Sequence, residues 1–285
     1  MNVIRIANGL IEAAVDMEDG MNVTSLKYRD VDVIERDEMR KAKGATYAVP
    51  VLFPTPNRTA GGFYSFRGQR VAASMHGYAR HAAFSVSDRS SDSVTGTCSF
   101  EGLSDPYDIS MTLTIRAYES SISWIFRIEN MGEAEFPFSL ALHPFFRKDV
   151  FRTLSLNCEY EMEADGNKIP TGRLIRLDDR NGYDKRDIAG ISADTVYLSS
   201  GGVKAELDAA SFSLVIAGDD SFRHLVVYGY PGSSFICAEP QTGSTDFVNL
   251  HERGFEKAAG LLSLCSGDVR SLYVDFCFRD RAGQD

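Results

Sequence analysis

The stretch DISMTLTIRAYESSISWIFRIEN, residues 108–130, decides the fold class of this chain. Apolar and polar residues alternate along it, on both sides of a polar turn at YESS. The apolar positions are Ile109, Met111, Leu113 and Ile115, then Ile122, Trp124, Phe126 and Ile128. Such alternation is typical of strands that bury one face. The stretch therefore predicts an antiparallel β-hairpin.

The same pattern returns towards the C-terminus. FRHLVVYGYPGSSFICAE (222–239) predicts two strands joined by a turn at YPGSS, and DVRSLYVDFCFRD (268–280) predicts another strand. Helical spacing is limited to RDEMRKAKGA (36–45) and HERGFEKAAG (251–260), each long enough for two or three turns. The sequence shows no linker, repeat or shift of composition. We expect one all-β domain over residues 1–285, a sandwich of many antiparallel strands.

Composition narrows the range of functions. The chain has 285 residues, 44% hydrophobic and 25% charged, with a net charge of -10. An acidic protein repels nucleic acid and anionic membranes, so we expect neither as a partner. The absence of a basic start and of a long apolar run predicts a cytoplasmic protein. Five widely spaced cysteines predict reduced core thiols: Cys98, Cys158, Cys237, Cys265 and Cys277.

Two histidines are candidates for catalysis or binding. In FPFSLALHPFF (136–146), large apolar residues alternate with small ones, so His143 is expected to project at the end of a small-residue face with room in front of it. In SMHGYARHAAF (74–84), His76 precedes a glycine, which predicts a bend rich in donors, with Arg80 close by. The alternative for each histidine is a purely structural role, with hydrogen bonds to nearby backbone.

A carboxylate stands at the end of an apolar strand in ICAEPQTGSTDFVNL (236–250). Partial burial raises the pKa of such a group, which suits Glu239 to exchange a proton near neutrality. The alternative is a structural glutamate that accepts backbone N–H bonds or pairs with an arginine.

Further binding residues are predicted in two loops. In VLFPTPNRTAGGFYSFRGQ (51–69), prolines stiffen the turn that presents Asn57 and Arg58. Asp194 lies where the polar region 163–194, an expected irregular wall of the site, re-enters a strand at ISADTVYL. Zinc-peptidase, nucleotide-binding and hydrolase motifs are absent. A metal held by His76, His81 and an acid is only weakly indicated, and we predict no metal.

Six motifs, PNR, HGYAR, LHPFF, PTG, ADTVY and AEPQTG, occur in an order that resembles the aldose 1-epimerase (galactose mutarotase) family, from about residue 50 to the C-terminus. The resemblance implies a large antiparallel β-supersandwich with few short helices. It implies an isomerase that interconverts the α and β anomers of a free hexose without a cofactor. Carried over by motif, Glu239 would be the general base and His143 the general acid, with His76, Arg58 and Asp194 holding the sugar.

The chain also departs from the family's pattern. Many relatives carry a tryptophan after HGYAR, where this chain has only Phe84. The basic residues Arg67, Arg70, Arg80 and His81 would hold a phosphate if they converged, which keeps a hexose-6-phosphate 1-epimerase as an alternative. A carbohydrate-binding protein without catalysis is a second alternative. We expect a small-molecule sugar as partner, and either a monomer or a homodimer.

Overall fold

The computed structural model describes residues 2–102, 106–178 and 183–281, and within these ranges it is built almost entirely of β-strands. The helices are α1 (Glu38–Ala42), α2 (Phe247–Glu252) and α3 (Glu256–Ala259), with 3₁₀ turns at Ala60–Gly62, Ala79–His81 and Ile188–Gly190. None of the described helices is long and apolar enough to cross a bilayer.

The strands of the first half of the chain are β1 (Val3–Asn8), β2 (Ile11–Asp16), β3 (Asn22–Tyr28), β4 (Val31–Asp32), β5 (Val51–Leu52), β6 (Phe63–Phe66), β7 (Gln69–Ala72), β8 (Ser85–Arg89), β9 (Ser93–Ser99), β10 (Ile109–Ala117), β11 (Ser121–Asn130), β12 (Phe136–Phe138) and β13 (Ala141–Leu142). Those of the second half are β14 (Phe145–Arg147), β15 (Phe151–Leu156), β16 (Tyr160–Ala164), β17 (Pro170–Arg176), β18 (Arg186–Asp187), β19 (Ala193–Leu198), β20 (Lys204–Ala209), β21 (Phe212–Gly218), β22 (His224–Gly229), β23 (Phe235–Gln241), β24 (Leu262–Leu264) and β25 (Val269–Asp280).

Two large antiparallel sheets dominate the fold. One has nine strands in the order β18-β15-β20-β21-β25-β11-β10-β9-β8. The other has eight, β17-β16-β19-β22-β23-β13-β5, with β14 pairing alongside β23. Smaller sheets are formed by β1 to β4, by β6 with β7, and by β12 with β24. The predicted all-β class with few short helices is confirmed.

The core lies between the inner faces of the two large sheets. In the predicted hairpin β10–β11, Leu113 pairs with Phe126 and Ile115 with Trp124, and all four side chains are fully buried. Across the sandwich, the ring of Phe146 lies 5.7 Å from that of Phe276. Alternation in the sequence therefore predicted the strand faces correctly, because burying one face of each strand removes a continuous apolar layer from water.

Two local predictions were partly wrong. The pattern at 251–260 is not one helix, since α2 begins at Phe247 and the chain turns at Gly254, where φ is +86°, before α3. The region 163–194 is not irregular throughout, because β17 (Pro170–Arg176) pairs with β16 and α3 and α2 pack near it. Residues 179–182 of that region lie outside the described residues. The extent of the single domain stays a prediction.

Candidate active site

One face of the eight-stranded sheet carries a group of functional side chains. Glu239 lies in β23, opposite Val226 of β22. In the same ladders Tyr228 lies opposite Cys237, and Asp194 of β19 lies opposite Tyr228. Because side chains alternate between the faces of a strand, all five project from the same face, the one turned away from the sandwich core. The register thus assembles residues that are far apart in sequence.

His143 joins this group directly after β13. Its backbone N–H donates to the carbonyl of Pro50. Its ring stacks on the ring of Phe145, with the centroids 4.6 Å apart. Its Nδ1 lies 3.3 Å from Oε1 of Glu239, in a contact that lacks hydrogen-bond geometry, and both side chains are buried. The predicted general acid and general base are therefore neighbours in space.

Burial favours the neutral forms of both groups. Desolvation raises the pKa of Glu239 well above its ordinary value, helped by the negative charge of Asp194. Desolvation lowers the pKa of His143 well below its ordinary value, helped by His76 and Arg40. Both shifts favour a pair that holds one proton, with that proton on the carboxyl group rather than on the imidazole. Proton transfer in either direction remains available to a bound substrate.

A reciprocal pair of hydrogen bonds joins the loops of Asn57 and His76. The backbone N–H of His76 donates to the carbonyl of Asn57, and the backbone N–H of Asn57 donates to Nδ1 of the His76 ring. Burial, with nearby arginines, lowers the pKa of His76 to about 3. The ring is therefore neutral and carries its proton on Nε2. The Asn57 amide donates to Gln241, whose own amide donates to Glu239. Asn57 thus reaches the carboxyl group through Gln241.

Arg58 and Asp194 face each other across the site. Their side chains pair at 3.4 Å and are 39% and 31% exposed. With His76, His143 and Glu239 they line a cavity of about 300 Å³. All the residues predicted for the site, including Asn57 and Arg80, line this one cavity.

Two more guanidinium groups line the cavity. Arg40 donates to the carbonyl of Thr46 and lies over the ring of Phe145, and Arg80 donates to the carbonyl of Gly44. Among the described residues, neither has a carboxylate within ion-pair distance. The cavity therefore carries positive charge that its own acids do not neutralise.

The aldose 1-epimerase family model matches residues 2–276, nearly the whole chain. The chain belongs to the aldose 1-epimerase family. Members are isomerases that act on carbohydrates. A comparison with curated proteins found no match.

Solved structures with the same fold accompany this family match. A galactose mutarotase-like protein from Clostridium acetobutylicum is 18% identical, with a TM-score of 0.87 over 98% of this chain and 95% of that one. A galactose mutarotase-like protein from Lactobacillus casei is 20% identical, with a TM-score of 0.79 over 98% of this chain and 100% of that one. A galactose 1-epimerase from Lactobacillus acidophilus is 12% identical, with a TM-score of 0.77 over 98% of this chain and 94% of that one. The predicted β-supersandwich is confirmed.

Some details of this epimerase-family site differ from the sequence predictions. The small-residue side of strand 136–143 is not open, because Ser139 is fully buried and accepts a hydrogen bond from the N–H of Gly243. Only His143 at its end reaches the cavity. Phe84 does not serve the site, since it is buried in the core near Phe100. Tyr228 is the aromatic residue that lines the cavity.

The basic residues proposed for a phosphate do not converge. Arg67 pairs with Glu135 at 2.8 Å, and Arg70 stacks 3.7 Å from the ring centroid of Phe63. His81 lies 3.6 Å from Asp19. Of the four, Arg80 alone is among the described residues that line the cavity. The sequence left their convergence open, and the structure gives Arg67, Arg70 and His81 separate partners outside the cavity.

Sequence reasoning missed three site residues. Gln241 lies two positions after Glu239, so strand alternation places it on the same face. Tyr228 could have been found by pairing the two strands of the 222–239 hairpin. Arg40 carried no signal, because it lies in α1, a short helix with a surface pattern that reaches the cavity only through tertiary packing.

A metal site receives little support. Within the described ranges, donor atoms of His143, Cys237 and Glu239 lie within 4.8 Å of one another, while no grouping of His76 with His81 is formed. Burial raises the pKa of the Cys237 thiol, so this sulfur is a poor ligand without deprotonation. The expectation that no metal is needed stays a prediction.

Proposed function

We propose that this protein is a mutarotase, an aldose 1-epimerase that interconverts the α and β anomers of a free hexose. The observation that carries the proposal is the buried pair of Glu239 and His143, 3.3 Å apart, on the wall of a cavity lined by polar groups. A carboxyl and an imidazole that share one proton are what ring opening requires. Binding alone would not call for such a pair.

The reaction follows from these positions. A base takes the proton of the C1 hydroxyl while an acid protonates the ring oxygen, so the C1–O5 bond breaks and an open aldehyde forms. Rotation about C1–C2 exposes the other face of the carbonyl, and reversal of the proton transfers recloses the ring. We assign the base to Glu239 and the acid to His143. His76, Arg58 and Asp194 would hold the remaining hydroxyls, so that the aldehyde stays in register.

The number of protons that the pair holds agrees with this assignment. Anomerisation consumes no net proton, so the pair needs one proton before and after each turnover. The neutral pair, a carboxylic acid beside an imidazole, differs from the ion pair only in which group holds that proton. Binding of a polar sugar adds hydrogen-bond partners around the carboxylate and so favours the charged form that acts as base.

The test is polarimetry on freshly dissolved α-D-glucose and α-D-galactose, with and without the protein. The proposal predicts faster approach to rotational equilibrium with at least one of the two sugars. If neither equilibrates faster, the free-hexose activity is refuted. Binding without acceleration would instead support the non-catalytic carbohydrate-binding alternative.

A second candidate, an epimerase for an anionic sugar such as a hexose 6-phosphate, is favoured by one observation. Arg40 and Arg80 line the cavity without a carboxylate partner among the described residues. An anionic substituent would neutralise them. Rates for glucose 6-phosphate and glucuronate should then exceed the rate for glucose, and Arg80→Met should remove the difference. A higher rate for glucose would eliminate this candidate.

A further inference from the structure

Gln241 is a buried amide that the proposed reaction leaves without a role. It lies in β23, two positions after Glu239, and its side chain is fully buried. It is not among the described residues that line the cavity of the candidate active site. Burying an amide costs free energy unless its two ends find hydrogen-bond partners. Such a residue can act on the reaction only through its neighbours.

Both ends of the Gln241 amide are hydrogen-bonded. Its Oε1 accepts from Nδ2 of Asn57 at 2.9 Å, and its Nε2 donates to Oε2 of Glu239 at 3.2 Å. Oε2 of Glu239 is therefore held as an acceptor. In a neutral carboxyl group the carbonyl oxygen is the better acceptor, so the proton is left to Oε1. That oxygen lies 3.3 Å from Nδ1 of His143.

The backbone around Gln241 leaves this amide little freedom to turn. His224 lies opposite Gln241 in the ladder of β22 and β23 and is fully buried. Its Nδ1 lies 3.2 Å from the carbonyl of Thr242, and its Nε2 lies 2.9 Å from the carbonyl of Ala258. The backbone N–H of Thr242 donates to the carbonyl of Leu140. The end of the strand is thus held from both sides, and a group held in this way needs no reorganisation during the reaction.

Resting on the proposed function, we propose that Gln241 is a positioning residue for Glu239: its amide, held by Asn57, keeps the proton of the neutral carboxyl group on the oxygen beside His143. Before ring opening, the O–H bond at Oε1 of Glu239 breaks and an N–H bond forms at Nδ1 of His143. The pair becomes a carboxylate and an imidazolium without gaining or losing a proton. A hydrogen bond to a charged group is stronger than one to a neutral group, so the amide also stabilises the carboxylate that acts as base.

Several titratable or charged groups surround Glu239. They come from each element packed around it: His143 after β13, Asp194 of β19, Tyr228 of β22, Cys237 of β23, Arg40 of α1 and Arg58 before β6. Burial and the charge of Asp194 raise the pKa of Glu239, and the hydrogen bond from Gln241 opposes them. Replacing Gln241 leaves all the other groups in place, so a change in the titration of Glu239 would report the loss of the amide.

The test is Gln241→Met, which keeps the length of the side chain and removes its hydrogen bonds, on a hexose that wild type accelerates. We expect kcat to fall roughly tenfold or more while KM changes less than about threefold, because the amide acts on the base and not on the sugar. The alkaline limb of the pH profile of kcat/KM, where the pair loses its last proton, should move to higher pH. An alkaline limb that stays at its wild-type pH would overturn the proposal, whatever the rate.

The matched control is Asn130→Leu. Asn130 is also a fully buried amide, at the end of β11 in the nine-stranded sheet. Its Nδ2 donates to the carbonyls of Ala134 and Leu264, and its Oδ1 accepts from the N–H of Gly132. This variant should lose stability, as a buried amide without its hydrogen bonds must, and leave the alkaline limb unchanged.

A measurement on wild type does not depend on the folding of a variant. The side-chain amide resonance of Gln241, followed by NMR, should shift with pH as Glu239 titrates. A resonance that does not respond would overturn the proposal. Failure of the proposed function would look different, because wild type itself would then show no acceleration in polarimetry while the amide still responded to Glu239.

Discussion

At the scale of single residues, burial sets the proton affinities of the two proposed catalytic groups. Loss of water raises the pKa of Glu239 and lowers the pKa of His143. Both shifts favour a pair that holds one proton. Both residues were predicted from short motifs by resemblance. Their contact was not predictable, because about a hundred residues separate them and only the register of β13, β14 and β23 brings them together.

The pH dependence of kcat/KM should follow these shifts. At low pH both groups are protonated and no base is present, and at high pH both are deprotonated and no acid is present. Because the pKa of His143 is lowered, the acid limb should lie below pH 6.5; because that of Glu239 is raised, the alkaline limb should lie above pH 4.5. The profile should be bell-shaped, measured by polarimetry across buffers.

A variant tests the cause of the acid limb. Arg40 is one of the charges that lower the pKa of His143, so Arg40→Met should move the acid limb to higher pH. Arg152→Met, an exposed change on β15 of the nine-stranded sheet, is the control and should not move it. A limb that stays fixed in Arg40→Met, or moves downward, would show that this charge does not act on His143.

At the scale of elements, alternation predicted the strands and faces that build the core, including β10, β11, β22, β23 and β25. It failed where tertiary packing overrides local pattern. Helices α2 and α3 are too short to be set by periodicity, and β17 forms within a polar stretch because β16 offers it a partner. The bend at His76 was predicted from the glycine that follows it, Gly77. The backbone of Phe53 approaches that glycine closely.

Gly77 should be intolerant of any side chain. Its φ is +70°, and a Cβ there would lie 2.0 Å from the carbonyl oxygen of Phe53. Gly77→Ala should cost about 3 kcal/mol or more of unfolding free energy, because the backbone between His76 and Tyr78 must move. Gly68→Ala is the control: its φ is +80° but its Cβ would meet nothing within 4 Å, so a cost of about 1 kcal/mol is expected. Equal costs in urea denaturation would disprove the close-approach explanation.

At the scale of the whole molecule, the eight-stranded sheet has two roles. Its inner face packs against the nine-stranded sheet, and its outer face carries the proposed catalytic groups under loops from the first third of the chain. The fold class was readable from sequence because a continuous core repeats one pattern in many strands. The cavity of about 930 Å³ beside the candidate active site was not readable, since its walls come from four segments, 58–63, 73–75, 165–169 and 246–253, with no shared motif.

Stability should reveal the cost of burying the carboxyl group of Glu239, the proposed base. Between pH 4.5 and its raised folded-state pKa, the unfolded chain has lost a proton that the folded protein keeps, so wild-type stability falls as pH rises. Glu239→Gln has no such proton. Its stability relative to wild type should therefore increase with pH above about 4.5, followed in urea by the fluorescence of the single tryptophan, Trp124. A difference independent of pH would argue against a raised pKa.

The most direct measurement is anomer exchange by NMR in Glu239→Gln, on the hexose that wild type accelerates, together with the affinity of the same variant for that sugar. We predict that exchange falls at least about a hundredfold while the dissociation constant changes less than about threefold. Glu129→Gln, on the outer side of the nine-stranded sheet, should behave as wild type. Exchange that continues at the wild-type rate in Glu239→Gln would contradict the assignment of Glu239 as the base.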